Sequence, residues 1–328
     1  MKKVISFSIL IFGGIVSLNA QQPGATPRTP TPAEQTQRTL RQRQESNRRF
    51  EALRSAGEYN RRISNSVRSA ALQTINNLYR KPTKEESKLL AAGKDDLKKY
   101  APFLRGADTG LTKLMMDRGC AEYTSVLNVS EECRNYSMPG AGSSFSFRTE
   151  NYRIWRLADL TYREDGFHSP GILSHSILVS IGDFPLEQIT RQTNGLKFLT
   201  DFETVSEFEK AREIDKQIND GIENGGFFYS RKAEAVENTT YILRVVAYRG
   251  SYFRAVQGFV YDELDFDERR DVTVAFRIVR RDDDESVTIL WKILANQKSP
   301  VIKKPTRDEL KLEENKFMAE TDKAEDDN

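Results

Sequence analysis

The sequence predicts an α+β fold: N-terminal helices followed by an antiparallel β-sheet that ends in a four-strand meander, with one helix covering the sheet. Three observations carry this. Apolar residues recur at helical spacing up to residue 118 and at a spacing of two from residue 145 onward. The period-two segments follow one another through short polar turns, the connection that antiparallel strands use. A single amphipathic segment, residues 205–218, interrupts them and needs a sheet face to cover.

The meander is clearest in residues 238–294. Tyr241, Leu243, Val245 and Ala247 fall on one face of the first strand, with Ile242, Arg244 and Val246 on the other. Residues 252–261 run back as a second strand with Phe253, Ala255, Phe259 and Tyr261. Val272, Val274, Phe276 and Ile278 share a face of the third strand, and Val287, Ile289, Trp291 and Ile293 a face of the fourth. β-branched and aromatic enrichment with this alternation marks half-buried strands.

Residues 60–137 read as a helical part ending in a disulfide loop. Ile63, Val67, Ala70, Ala71, Ile75 and Leu78 form one stripe, and Lys81-Pro82 ends that helix. Thr83 and Glu86 have capping-box spacing and open a second helix carrying Leu89, Leu90, Leu97 and Leu104 inward. A third helix is expected over residues 109–118, with Leu111, Leu114 and Met115 inward.

Met138-Pro139-Gly140-Ala141-Gly142 then marks a boundary, and residues 138–295 form the α+β domain. Residues 152–162 and 172–181 read as strands, and residues 185–192 as a short helix. Thr204 and Glu207 repeat the capping-box spacing ahead of the covering helix, whose inward residues are Val205, Phe208, Ala211, Ile214 and Ile218. Residues 296–328 form a charged tail; from Lys303 it holds nine acids against six bases and is expected to be mostly disordered.

Residues 1–20 read as a secretory signal peptide. Lys2-Lys3 is the basic region, residues 4–16 the apolar region, and Leu18-Asn19-Ala20 the cleavage site. The expected location is therefore exported, periplasmic or extracellular. No Cys follows Ala20 to take a lipid, and no later stretch is apolar enough to cross a bilayer. Removing Lys2 and Lys3 from 50 basic residues leaves 48, equal to the 48 acidic ones. A mature chain so balanced has no overall pull toward nucleic acid.

Residues 21–59 form a Pro/Thr/Gln-rich and then Arg-rich linker. Arg38, Arg41, Arg43, Arg48, Arg49 and Arg54 could make peripheral contact with anionic lipid or another acidic polymer. A solvated helix with interspersed Glu45, Glu51 and Glu58 is the plainer reading, because no broad apolar face backs the arginines. Cys120 and Cys133 are the two cysteines of the chain, and in an oxidising compartment they are expected to form a structural disulfide.

The chemistry on offer is narrow. No P-loop, dinucleotide G-x-G-x-x-G, H-E-x-x-H or G-x-S-x-G motif occurs, and no cofactor is implied. His175 lies on the apolar face of a strand and is expected to be a hydrogen-bonded core residue, while His168 sits in a loop. Residues 262–268 and 282–285 are acidic turns. Solvation accounts for both, and Asp262, Asp265 and Asp267 are the residues a calcium ion would use. Arg244, Tyr248, Tyr252 and Arg254 would make a binding surface for a glycan or peptide if one sheet face is uncovered.

The reading that follows is an exported, non-enzymatic binding or accessory protein of a bacterial envelope, with a glycan or protein as partner. The competing reading is a glycan-directed hydrolase using an Asp/Glu pair, which requires two acids facing each other across a cleft.

Overall fold

The computed structural model describes residue 60 and residues 63–118, 138–190 and 192–303, all within the unit Leu53–Asn328. The signal peptide, most of the linker, Cys120 and Cys133, and the tail beyond residue 303 lie outside the described residues. In chain order the helices are α1 (Asn65–Tyr79), α2 (Lys84–Leu89), α3 (Lys94–Lys99), α4 (Leu196–Asp201) and α5 (Phe208–Asp220). The first strands are β1 (Thr109–Leu114), β2 (Ser144–Ser146), β3 (Asn151–Tyr152), β4 (Leu160–Arg163), β5 (Gly166–His168) and β6 (Ser174–Ser180). After them come β7 (Ile222–Asn224), β8 (Phe227–Tyr229), β9 (Lys232–Ala233) and β10 (Thr240–Ala247). The last are β11 (Phe253–Val256), β12 (Phe259–Asp262), β13 (Arg270–Arg281) and β14 (Val287–Lys298).

A five-stranded central sheet runs in the order β1-β14-β13-β10-β6, every pair antiparallel. A smaller five-stranded sheet, β3-β2-β4-β5-β9, packs on one of its faces. The strand alternation decides which side chains meet there. Tyr241, Leu243 and Val245 of β10, Val274, Phe276 and Ile278 of β13, and Ile289 and Trp291 of β14 meet Phe145, Phe147, Leu160, Tyr162 and Phe167. Phe167 is edge-on to both Phe276 and Tyr241, with ring centroids 5.2 and 5.3 Å apart. Aromatics of this size dominate a core, each apolar side chain contributing about 1.5–3 kcal/mol on burial.

The opposite face of the central sheet carries the helices. Ile177, Val179 and Ile242 pack under Leu196 and Leu199 of α4, Ile218 of α5 and Tyr229. Ala275 and Leu290 pack under Leu186 and Ile189. The covering helix is thus present, and the fold is α+β with three layers: small sheet, central sheet, helices.

Several local expectations are corrected. Residues 109–118 do not form a helix; Thr109–Leu114 is the edge strand β1, paired with β14 from Thr109↔Lys292 to Leu114↔Val287. Leu111, Leu114 and Met115 have helical spacing, but in the strand Leu111 and Leu114 serve opposite faces, and the pairing with β14 decides. Gly110 is required there, because a Cβ would collide with the Trp291 indole. The second meander strand leaves the sheet. It breaks at Gln257 and Gly258, both at positive φ (49° and 82°), to form the separate hairpin β11–β12, and β10 pairs directly with β13. A two-residue turn with both central residues at positive φ matches the twist of a hairpin.

Residues 152–162 are likewise broken, by a 3-10 turn at Trp155–Leu157 between β3 and β4. The Thr83–Glu86 capping box forms as expected, yet the chain breaks again at Gly93, which starts α3. Leu89 and Leu97 are therefore exposed, and Leu90 alone of the expected four is fully buried. The Thr204–Glu207 box does not form. Those residues are extended, Ser206 O accepts from the Lys303 N–H at 2.7 Å, and α5 starts at Phe208 without a side-chain cap.

Candidate functional site

The polar groups concentrate at one end of the central sheet, where β10 ends, β6 and β13 begin, and the β11–β12 hairpin and the 3-10 turn Glu263–Phe266 fill the connection. The four residues expected to line a binding surface all lie here, but they do not share one. Arg244 is buried: its Nε and Nη2 donate to Asp271 Oδ1 (3.0 Å) and Oδ2 (2.8 Å). Its Nη1 donates to the carbonyls of Leu199 (2.5 Å) and Phe202 (2.9 Å), tying the end of α4 to the sheet. Tyr248 is also buried, and burial pushes its phenol up to about 12. Tyr252 is half-buried in a cluster with Leu78, Ile154, Leu157 and Leu264. Of the four, Arg254 reaches furthest into solvent, with 39% of its side chain exposed and its Nε 3.7 Å from Glu263 Oε2.

The calcium candidates do not converge. Asp262 Oδ1 accepts the backbone N–H groups of Tyr252 and Leu264. Asp265 points to solvent, and Asp267 is buried against arginines. Among the described residues no group of three or more acidic, His or Cys side chains is placed to hold a metal ion.

What the sequence reading missed is an arginine network. Arg148 donates through Nε to Asp159 Oδ1 (2.6 Å), through Nη1 to Asp267 Oδ2 (2.5 Å) and the Glu268 carbonyl (2.6 Å), and through Nη2 to the Leu157 carbonyl (3.0 Å). Burial opposes its charge, but Asp159 and Asp267 outweigh burial and hold the guanidinium above its ordinary value. Asp159 also accepts from Ser146 Oγ and the Arg148 N–H. Arg269 shares Asp267 Oδ2 at 2.8 Å and reaches the carbonyls of Tyr248, Ile172 and Leu173.

A second knot docks α1. Glu263, fully buried, accepts from Tyr79 Oη (2.6 Å) and Arg156 Nε (2.5 Å) on Oε1. Since the Tyr79 proton goes to Glu263, the Tyr261 hydroxyl donates to Tyr79 Oη across 2.8 Å. Burial first, and then the Glu263 bond, raise the Tyr79 phenol well above its ordinary range. The Tyr79 ring stacks on Phe266, centroids 4.3 Å apart.

The two histidines differ. His168, expected in a loop, is the last residue of β5; its Nε2 lies 2.6 Å from Asp165 Oδ1 in the β4–β5 turn, and burial outweighs that carboxylate to lower its pKa. His175 is the expected core residue, hydrogen-bonded at both nitrogens. Its Nε2 lies 2.8 Å from the Ala211 carbonyl and so carries the proton. Its Nδ1 therefore accepts from Tyr248 Oη at 2.9 Å.

Chemically, each buried acid of this end faces cations and fixed donors. Asp159, Asp267 and Asp271 bind arginines directly, and Glu263 binds Arg156 and Tyr79. That is the composition of a structural network, and it differs from the two facing acids of a glycosidase. The one clue in the sequence was Arg244, a lone arginine between Leu243 and Val245 in a strand otherwise free of charge. Comparison with protein-family models, curated proteins and solved structures returned no match.

Proposed function

We propose that the chain is an exported, non-enzymatic binding or accessory protein of a bacterial envelope, with a glycan or protein as partner. The observation that carries the non-enzymatic half is the arginine pairing of Asp159, Asp267, Asp271 and Glu263. A general acid must keep a proton and give it to a glycosidic oxygen. These four carboxylates instead have buried side chains turned to arginines of the fold and not to one another across a cleft. Export is supported by the Lys2-Lys3, residues 4–16 and Ala20 pattern. Among the described residues no helix is long and apolar enough to cross a membrane. Arg254, on the hairpin, is the charged side chain of the expected surface that remains open to a partner.

The test is to incubate the purified mature chain with envelope polysaccharide and follow both co-sedimentation and release of reducing ends. Co-sedimentation without release is expected, weakened by Arg254→Ala. Release that scales with protein, and that vanishes in a folded Glu263→Gln or Asp267→Asn variant, would reverse the reading in favour of a hydrolase. Fractionation of cells expressing the full chain tests the location.

A further inference from the structure

His175 and Tyr248 join four segments at one point. β6 supplies the imidazole and the residue after β10 supplies the phenol. Ala211, in the first turn of α5, accepts from Nε2. The Val205 N–H donates to Tyr248 Oη at 3.4 Å. The extended residues 204–207 hold the chain's last described stretch in turn, since the Lys303 N–H donates to the Ser206 carbonyl. On its other side that stretch pairs with Arg249, whose N–H donates to the Pro300 carbonyl (2.9 Å) and whose carbonyl accepts from the Ile302 N–H (3.0 Å). Ile302 is packed against Ala211, Val246 and Tyr248.

The proton count at this junction closes in one state only. With neutral His175, Nε2–H meets a carbonyl, Nδ1 accepts the phenol proton, and Tyr248 Oη accepts the Val205 N–H. A second proton on the ring turns Nδ1 into a donor aimed at the phenol oxygen. The phenol must then turn its own proton away, into a buried space that its two described partners have already filled with donors. A buried donor without an acceptor is costly.

Among the described residues the new charge also meets no free counter-charge. Asp215 of α5 is bound by Arg231, which also donates to the Ser174 carbonyl. Arg244 and Asp271, which face Tyr248, are bound to each other, and Arg269 is bound to Asp267. Glu207 is bound to Lys210. The Phe202 ring closes the remaining side edge-on, 5.8 Å from the imidazole.

We propose that His175 is an acid-operated latch: protonation of its imidazole releases residues 204–207, the first turn of α5 and residues 299–303, while the central sheet stays closed. The peripheral side yields because β6 is held along its length by its register with β10, from Tyr241↔Ser180 to Ala247↔Ser174. Opening the 204–207 side gives the phenol proton water at the loss of a few hydrogen bonds. The latch thereby sets, by pH, how firmly residues 299–303 are held to the domain.

The direction follows from linkage. Burial holds His175 below its ordinary value of 6.5. The opened form, with a hydrated imidazole, binds the proton and the closed form does not. Between pH 6.5 and the lowered closed-state value, the opening constant rises about tenfold per pH unit.

Hydrogen–deuterium exchange of the full chain between pH 7.5 and pH 5, corrected for intrinsic rates, tests this. Peptides covering residues 204–212 and 299–303 are expected to lose protection with that slope, while peptides from β10 and β13 keep theirs. His175→Gln is expected to abolish the step and His168→Gln to leave it intact. Unchanged protection down to pH 5, or a step that survives in His175→Gln, overturns the latch. Should His175→Gln fail to fold, His168→Gln leaves one histidine in the chain, and its imidazole resonance can be titrated directly. Coincidence of that titration with the exchange midpoint supports the latch, and a separation of more than about one pH unit overturns it.

Discussion

Asn60 closes its whole carboxamide on the backbone of Val260: Nδ2 donates to the Val260 carbonyl at 2.8 Å, and the Val260 N–H donates to Oδ1 at 3.0 Å. One side chain thereby occupies the outer edge of β12 as a neighbouring strand would, 200 residues away in sequence. Tyr79, the last residue of α1, is bound to Glu263 and Tyr261, and Arg68 in its first turn lies over the Phe259 ring (5.9 Å), so α1 itself is also fastened to the hairpin.

Asn60→Ala removes both bonds and is expected to cost on the order of 1–2 kcal/mol. The loss should fall on α1 and the hairpin first. Faster amide exchange in residues 63–79, with β13 unchanged, checks it.

Arg148→Ala leaves the buried Asp159 without a cation and Asp267 with Arg269 alone, and is expected to cost about 3–5 kcal/mol in urea unfolding. Because the network is buried, that loss should be nearly the same at 0.1 M and 1 M salt, where surface pairs are screened.

Tyr79→Phe keeps the stacking on Phe266 but removes the donor to Glu263 and the acceptor for Tyr261. A loss of about 1–3 kcal/mol is expected. A variant as stable as the parent would show that the Tyr79 hydroxyl is not what fastens α1.

Tyr79, Tyr152, Tyr162, Tyr229, Tyr241, Tyr248 and Tyr261 all have pKa values raised by burial. A raised folded-state pKa gives stability that is complete below the ordinary value of 10.0 and is lost as pH rises above it. The fold should therefore weaken steeply from about pH 10, through the value of about 12 for Tyr248. Spectrophotometric titration should show these phenols ionising together with loss of near-UV circular dichroism. Smooth, independent ionisation in a folded protein would contradict the burial.

Gly110→Ala places a methyl group against the Trp291 indole, whose Nε1 donates to Thr112 Oγ1 at 2.9 Å. Overpacking of this kind costs about 1–3 kcal/mol. A shift in tryptophan emission should accompany it.

The sheet faces were legible wherever both sides of a strand had different jobs. Tyr241, Leu243 and Val245 could be told from Ile242 and Val246 because alternation survives even when both faces are covered. His175 could be placed in the core because its apolar neighbours left it no solvent. β1 was not legible, since Leu111 and Leu114 are three apart, a helical spacing, and in the strand they fall on opposite faces that only the pairing with β14 sets. The site was largely hidden for a similar reason. Arg148, Asp159, Asp267 and Arg269 are spread over three segments, and each by itself looks like an ordinary turn or strand-end charge. Whether the face of Arg244 and Tyr248 is covered was not legible in their own strand, because the segments that cover it are specified some 40 residues earlier.

The pairing of β1 with β14 sets a condition on how the chain is made. The first strand of the central sheet has the last one as its partner, and β14 also lies between β1 and β13. Until Val287 to Lys292 have been made, β1 has no strand to pair with. Contacts this distant in sequence close slowly. A growing chain with this topology completes its central sheet only once β14 has been made.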